Sequence, residues 1–266
     1  MNGLAAVAAE QAGLASAWHL LAAAAVLAVL LALLRAAAWA RVRRRPAGLP
    51  SPARAPLLVA AGCGAALLAA LTGAVLRAPG TVTALDDAAS ALLAPYRAPW
   101  LLTAFVWFTT LGTGAALFGV AVTATGFLRA AGRGKLILPL WVTFVGAHAT
   151  VWIGKHAVGR ARPTFLEGVA TAASPSFPSA HATGSAAVFG FVAYAIAGGL
   201  SARRERFEVA FWAAVLVALI GFSRVFLNVH FAADVVGGFF VGGSWLLLGV
   251  ALATARGGGR TAPLSR

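Results

Sequence analysis

Seven long apolar segments divide this chain of 266 residues and constrain its fold more than any other feature. A bilayer with a hydrocarbon core about 30 Å thick requires roughly 20 consecutive apolar residues per helix. The segments that approach or exceed this length lie near 16–34, 56–76, 101–128, 136–154, 182–200, 209–224 and 234–254. Because 61% of the residues are hydrophobic and only 11% are charged, the chain has too little polar surface for a soluble domain. We predict an all-α, polytopic transmembrane helical bundle.

The basic residues, which give a formal net charge of +14, lie in short runs between the apolar segments. If the spans alternate, the runs at 35–45, 129–135 and 203–206 and the tail share one side of the membrane. The excess of Arg and Lys in cytoplasmic loops makes that side cytoplasmic. Nucleic-acid binding would require a solvated basic face with stacking aromatics. We therefore predict the bilayer as a partner and no nucleic acid.

Three shorter features concern local structure. The first apolar segment has no basic residue before Arg35, so we interpret it as a retained span and not a signal peptide. The stretch 78–99 predicts an interfacial helix on the outer surface, with Asp86 or Asp87 capping its start. Gly238 and Gly242 in the last span form a small-xxx-small pattern, which is typical of close helix packing.

Three polar clusters abut the apolar segments on the side opposite the basic runs. They read KHAVGRARP at 155–163, FPSAH at 177–181 and SRVFLNVHFAAD at 223–234. Ionisable groups are costly in or beside hydrocarbon, so residues that persist there indicate function. We predict that the three clusters form one extracytoplasmic site.

The first cluster predicts an anion site. Lys155 and Arg162 are seven residues apart, so a helix leaving the membrane would place both on one face before Pro163 ends it. Phosphate is the natural anion, because the planar fork of Arg matches its oxygens and Lys supplies a compact charge.

The other two clusters add neutral donors, two imidazoles and a carboxylate. Ser179 suits a helix start, where backbone N–H groups also favour an anion, and His181 beside it can exchange a proton. His230 and Asp234 share a face if a helix begins there, and the carboxylate would leave one imidazole nitrogen free as a base or nucleophile. Arg224 can supply a further phosphate contact.

In order and spacing, Lys-x6-Arg-Pro at 155–163, Pro-Ser-Ala-His at 178–181 and Ser-Arg-x5-His-x3-Asp at 223–234 resemble the three-part signature of the type 2 phosphatidic acid phosphatase (PAP2) superfamily. The resemblance implies a PAP2-like six-helix core with an extra N-terminal span. It divides the chain into a span and Arg-rich cytoplasmic loop at 1–55, a catalytic membrane domain at 56–254 and a basic cytoplasmic tail at 255–266.

The resemblance also implies roles for individual residues. His230 would be the nucleophile that forms a phosphohistidine, Asp234 would orient it, and His181 would be the general acid and then the base. The phosphoryl oxygens would bind to residues that match the signature, namely Lys155, Arg162, Ser179, Ala180 and Arg224. Members of this family usually have Gly where this chain has Ala180. A helical backbone there would make the change nearly silent, whereas a positive φ would strain the site.

The activity implied is the hydrolysis of a lipid phosphate or pyrophosphate without a metal or other cofactor, at the outer face of the cell membrane. Candidate substrates are undecaprenyl pyrophosphate, phosphatidylglycerol phosphate and phosphatidic acid.

Three alternatives to a lipid phosphatase remain. Vanadium-dependent haloperoxidases share the signature, but they are soluble, which the apolar segments argue against. A transporter would also place charges at membrane depth, and a catalytically weakened lipid-phosphate binding protein would fit Ala180. The sequence indicates no oligomeric state.

Overall fold

A computed structural model describes residues 31, 32, 34–36, 38 and 39, which are helical, and residues 53–163 and 174–257. The chain forms two units, Met1–Gly48 and Leu49–Arg266. The larger unit contains all the elements described below. Most of the predicted N-terminal span, its Arg-rich loop and the tail beyond 257 lie outside the described residues.

The described part of the larger unit is helical and contains no β-strand. Its α-helices are α1 (Arg54–Arg77), α2 (Pro79–Leu93), α3 (Pro99–Thr109), α4 (Gly114–Ala130), α5 (Ile137–Val158), α6 (Ala180–Ala197), α7 (Arg203–Phe226) and α8 (Ala232–Gly257). Five helices are long and apolar enough to cross a membrane, namely α1, α5, α6, α7 and α8. The bent pair α3 and α4 is apolar enough only when the two helices are taken together, as one broken span or as a re-entrant loop. These helices confirm the all-α, multi-pass prediction and match six of the seven predicted segments.

The α3–α4 pair is bent at a break between its two helices. A short turn, Thr110–Gly112, follows α3, and α4 then begins with the Thr113 side chain accepting a hydrogen bond from the N–H of Ala116 over 3.3 Å. The two helices meet at an angle of 47°. The sequence predicted one segment at 101–128, and the side-chain cap at Thr113 explains why a new helix starts within it.

Helix α2 corresponds to the predicted interfacial helix, but its start differs from the prediction. It begins at Pro79, whose fixed φ and missing N–H suit a first helical position. Neither Asp86 nor Asp87 therefore caps it, because both lie in the middle of α2; Asp86 is buried. On the other face, Leu85 is 70% exposed and Leu92 is 75% exposed, as a helix lying against lipid requires.

Helix α8 packs along α1, α5 and α6. A Cβ atom at Gly238 would lie 2.7 Å from the carbonyl oxygen of Ser179, and one at Gly242 would collide with the Thr183 backbone. The predicted close packing of this glycine pair is confirmed. It brings the N-terminus of α8 against that of α6, where the Ser179 N–H donates to the Asp234 carbonyl over 3.0 Å.

The two ends of the bundle differ in character. At one end an apolar core gathers from α4, α5, α6 and α8, with Ala121, Leu128, Leu140, Phe191, Ala195, Val250 and Ala253 buried together. Large apolar side chains such as Trp107 and Phe127 point outward and are more than 70% exposed, as lipid-facing residues are. The polar clusters lie at the other end.

Candidate active site

The structure brings all three polar clusters to one end of the bundle. The C-termini of α5 and α7 meet the N-termini of α6 and α8 there, because these spans alternate in direction. His181 lies within electrostatic range of four other cluster residues, namely Arg224, His230, Arg162 and Lys155. The predicted single site is therefore consistent with the observed packing.

Lys155 and Arg162 reach the site from different backbone settings. Helix α5 ends at Val158, and Gly159 follows with φ of 64°, a left-handed conformation that suits glycine and terminates the helix. The prediction that both cations share one helix face is thus wrong. Lys155 is buried in the last turn and its ammonium donates to the Pro175 carbonyl, whereas Arg162 lies in the segment beyond the helix.

Arg162 binds the loop that carries His230. Its Nη1 donates to the Val229 carbonyl over 2.6 Å and lies 3.1 Å from Nε2 of His230. Its Nε donates to the Ser174 carbonyl over 2.9 Å. Since a guanidinium can only donate, Nε2 of His230 must be the acceptor and carries no proton.

The other imidazole nitrogen faces a carboxylate. Nδ1 of His230 lies 3.3 Å from Oδ2 of Asp234, so the Nδ1–H group donates a hydrogen bond to that carboxylate oxygen. The prediction that one helix carries both residues is wrong, because α8 starts at Ala232 and His230 lies in the preceding loop, yet the pair still forms. The carboxylate fixes the neutral tautomer with its lone pair on Nε2.

Burial keeps the His230 imidazole neutral. The residue is 3% exposed, and desolvation lowers its pKa from 6.5 to about 4. The hydrogen bond and charge of Asp234 oppose this shift, while the charges of Arg162 and Arg224 add to it. At neutral pH, Nε2 of His230 is therefore an unprotonated nitrogen held beside a cation.

Asp234 has partners that the motif analysis did not identify. Its Oδ2 accepts hydrogen bonds from the Ser176 hydroxyl and, over 2.9 Å, from the N–H of Phe231. Its Oδ1 accepts from Arg160 Nη1 over 2.8 Å. Ser176 and Arg160 stand beside signature residues in the sequence, but their side chains gave no pattern that distinguishes them from solvated loop residues.

The start of α6 confirms Ser179 as an N-cap position, with φ of −69° and ψ of 117°. Its hydroxyl makes no capping bond; it is buried and has no hydrogen-bond partner in the protein. Ala180 is the first helical residue, so its backbone is unstrained and the silent alternative applies. His181 follows, and Gly112 packs against it so closely that an added Cβ would lie 3.0 Å from its Cδ2.

Arg224 completes the cationic side of the site from the last turn of α7. Its Nη1 donates to the Thr109 hydroxyl over 3.0 Å, and Thr109 also accepts from Ser223 over 3.0 Å. The Arg224 Nε is buried without a hydrogen-bond partner in the protein. Buried donors are rarely left unpaired, so this nitrogen and the Ser179 hydroxyl are each available to an acceptor oxygen of a ligand or a water molecule.

Known proteins resemble the chain in both sequence and fold. The sequence profile of the PAP2 superfamily matches residues 134–257. Phosphatidylglycerophosphatase B of Bacillus subtilis (strain 168) is 32% identical over 165 residues, which cover 60% of this chain and 79% of that protein. Lipid A 1-phosphatase of Rhizobium etli is 33% identical over 137 residues, covering 45% of this chain and 54% of that protein.

The crystal structure of a transmembrane PAP2-type phosphatidylglycerolphosphate phosphatase from Bacillus subtilis superposes with a TM-score of 0.66 at 28% identity. The match covers 71% of this chain and 93% of that chain. Sequence identity of this extent across most of a relative, together with the same helical fold, means that this multi-pass membrane protein belongs to the PAP2 superfamily.

Proposed function

We propose that this protein is an integral membrane phosphatase that hydrolyses a lipid phosphate or pyrophosphate through a phosphohistidine on His230. The observation that carries the proposal is the state of this imidazole, whose Nδ1 is held by Asp234 while the unprotonated Nε2 faces Arg162 at 3.1 Å. A neutral imidazole oriented by a carboxylate is an activated nucleophile, and the adjacent cation would bind the oxygens of the group under attack.

In the first step, Nε2 of His230 forms a bond to phosphorus while the bond from phosphorus to the lipid oxygen breaks. His181 gives its proton to the departing oxygen, and the lipid leaves as an alcohol, or as a monophosphate when the substrate is a pyrophosphate. The imidazole of His230 becomes positive as it accepts the phosphoryl group. Asp234 stabilises that charge through Nδ1–H.

In the second step, water attacks the phosphohistidine. His181, which has lost its proton, takes one from the water as the oxygen bonds to phosphorus. The bond from phosphorus to Nε2 breaks, and inorganic phosphate leaves. His230 returns to its neutral form, and His181 is protonated for the next cycle.

The phosphoryl oxygens would bind to Lys155, Arg162, Arg224 and the Ser179 hydroxyl. The two buried atoms without partners, Ser179 Oγ and Arg224 Nε, support this assignment because a phosphoryl group offers them acceptors. N–H groups in the first turn of α6, including that of Ala180, have no intrahelical partner, and such groups favour an anion. Phosphoryl transfer depends chiefly on such charge stabilisation and positioning.

The proposed reaction needs no metal ion. Three cationic side chains supply the charge that magnesium supplies in other phosphoryl-transfer sites. Within the described ranges, no three His, Cys, Asp or Glu side chains are grouped so that they could hold a metal. The three cations are the observation that supports direct binding of the phosphoryl group by the protein.

We propose phosphatidylglycerol phosphate as the preferred substrate and the extracytoplasmic face as the location of the site. The substrate follows from the similarity to a phosphatidylglycerophosphatase and to a phosphatidylglycerolphosphate phosphatase. The face follows from the basic residues at the opposite end of the bundle, among them Arg129, Lys135 and Arg204.

Purified protein in detergent should be tested for phosphate release from phosphatidylglycerol phosphate, undecaprenyl pyrophosphate and phosphatidic acid, with His230→Ala as the inactive variant. The control is His156→Ala, because His156 is exposed on α5 and its ring packs at a tilt against that of Trp152, with a centroid distance of 4.5 Å. We expect the wild type and His156→Ala to release phosphate and His230→Ala to release none. Binding of these lipids without release would instead favour a lipid-phosphate binding protein, and undiminished release by His230→Ala would contradict the mechanism.

A further inference from the structure

Helix α2, which the sequence suggested was a surface element, contacts the loop that carries His230. Ser90 Oγ donates to Oδ1 of Asn228 over 2.8 Å, and Arg97, just beyond α2, donates from Nε to the Phe226 carbonyl over 2.8 Å. Asn228 has φ of 52°, a left-handed conformation that Asn adopts more readily than most residues other than glycine. The loop is therefore held from the α2 side as well as by Arg162.

A deeper contact starts from the same helix. Asp86 is 4% exposed, and its Oδ1 accepts a hydrogen bond of 2.9 Å from the N–H of Ala233. Ala233 lies in the first turn of α8, where backbone N–H groups lack intrahelical partners. Asp86 thus supplies, from another helix, the acceptor that a capping side chain would give to α8.

Arg160 joins this carboxylate to the one beside His230. Its Nη2 donates to Oδ2 of Asp86 and its Nη1 to Oδ1 of Asp234, both over 2.8 Å. The Arg160 side chain is 9% exposed and its guanidinium carbon lies 4.2 Å from the centre of the Phe231 ring. Two buried carboxylates therefore share one buried cation, and each depends on it for charge compensation.

From this geometry we propose that Asp86 and Arg160 are positioning residues: through Arg160, the interfacial helix α2 fixes the Asp234 carboxylate and thereby the orientation of the His230 nucleophile. The inference rests on the proposed phosphatase function. Both Nη atoms of Arg160 donate to carboxylates, so Arg160 acts through Asp234, and Asp86 acts through Arg160 and the first turn of α8.

The chain of contacts predicts that only the Arg160 substitution raises the pKa of His230. The charged and titratable groups around its imidazole are Asp234 from α8, Arg162 from the segment after α5, Arg224 from α7 and His181 from α6. Removing the positive charge of Arg160 leaves Asp234 less compensated, which favours the imidazolium form and raises the pKa of His230. Removing the negative charge of Asp86 lowers the pKa of His230 or leaves it unchanged.

The test compares Arg160→Gln and Asp86→Asn with wild type, and uses Asp87→Asn as the matched control because Asp87 is the neighbouring carboxylate on α2 and is exposed. Hydrolysis of phosphatidylglycerol phosphate would be followed as a function of pH, together with the yield of phosphoenzyme. Partners that orient a histidine in metal sites change activity by about 10 to 100-fold, and we expect a loss of that size in both buried-site variants. The acid limb of kcat/KM should move to higher pH in Arg160→Gln only.

A merely structural role would lower activity in both variants without separating their pH profiles. If Arg160→Gln does not fold, Arg160→Lys replaces it: the charge remains but the planar fork to two carboxylates is lost, so the rate should fall while the acid limb stays in place. An active wild type with unaltered rates and profiles in Asp86→Asn and the Arg160 variant would overturn this inference alone. An inactive wild type would overturn the proposed function and this inference with it.

Discussion

Nη1 of Arg162 lies 3.1 Å from Nε2 of His230, so a cation contacts the nitrogen that is free of Asp234. The same guanidinium binds the Val229 and Ser174 carbonyls, which hold it in place. A phosphoryl group that approaches Nε2 would therefore meet a preorganised donor at the point of attack. Electrostatic preorganisation of this kind is usually the largest single contribution to catalysis.

The state of His230 predicts the pH dependence of the first step. Nε2 can attack only when the imidazole is neutral, and burial lowers the pKa of His230 from 6.5 to about 4. The rate of phosphoenzyme formation should therefore hold as the pH falls from neutral and be lost only near pH 4. Rapid-quench measurements with aryl phosphates would test this. An acid limb near 6.5 that does not move when the aryl phosphate's own pKa is changed would contradict it.

Much of this architecture could be predicted because membrane spans and the three motifs depend on residue type and spacing. Among the described residues, five apolar segments correspond to helices long enough to span the membrane and a sixth to the bent pair α3 and α4, and the signature residues converge as expected. The ends of individual helices were harder to predict. Gly159 ends α5 before Arg162, and α8 begins after His230, so two side-chain pairs form without the shared helix faces that spacing suggested.

The supporting contacts of the site could not be predicted from the sequence. Asp86 and Arg160 are 74 residues apart, and Arg160 and Asp234 are another 74 apart, so their meeting depends on how the helices pack. Ser176 could not be identified either, because its spacing from the signature residues matches no recognisable pattern. A buried carboxylate in a surface helix was interpreted as a cap because local sequence gives no information about a distant partner.

Glycines in α8 provide a test of the packing that joins the α6 and α8 termini. Gly238→Ala should destabilise the protein by about 1–3 kcal/mol, because the added Cβ would lie 2.7 Å from the Ser179 carbonyl oxygen. The control is Gly243→Ala on the same helix, where an added Cβ meets nothing within 4 Å and should stabilise by about 0.5–1 kcal/mol. Thermal unfolding in detergent would measure both, and equal midpoints would contradict the tight crossing.

Metal removal and an anion that mimics the transition state test how the phosphoryl group is bound. Activity should survive EDTA, because Lys155, Arg162 and Arg224 are proposed to replace a metal. Vanadate should inhibit, since its trigonal-bipyramidal adduct resembles the transition state and such mimics bind more tightly than substrates. Arg224→Gln should weaken vanadate inhibition more than substrate binding. A requirement for added magnesium after EDTA treatment would contradict the site as proposed.

Cysteine labelling tests which face of the membrane carries the site. In a Cys63→Ser background, Asp87→Cys places a thiol on an exposed position of α2, and Lys135→Cys places one on an exposed position at the opposite end of the bundle. An impermeant thiol reagent added to intact cells should react with the first and reach the second only after lysis. The reverse pattern would put the site on the cytoplasmic side.

The last prediction separates the roles of the two histidines. His230→Ala should abolish turnover and any acid-labile phosphoenzyme, because that substitution removes the nucleophile. His181→Ala should slow cleavage of alkyl phosphates by about 10² to 10⁴-fold, because the alkoxide then leaves without a proton. The nitrophenolate of p-nitrophenyl phosphate leaves without protonation, so His181→Ala should still be phosphorylated by it and should accumulate the intermediate for lack of a base. Acid-quenched protein would be analysed by mass spectrometry. Phosphoenzyme in His230→Ala but not in His181→Ala would reverse the assignment, and its absence from wild type and both variants would favour direct attack by water.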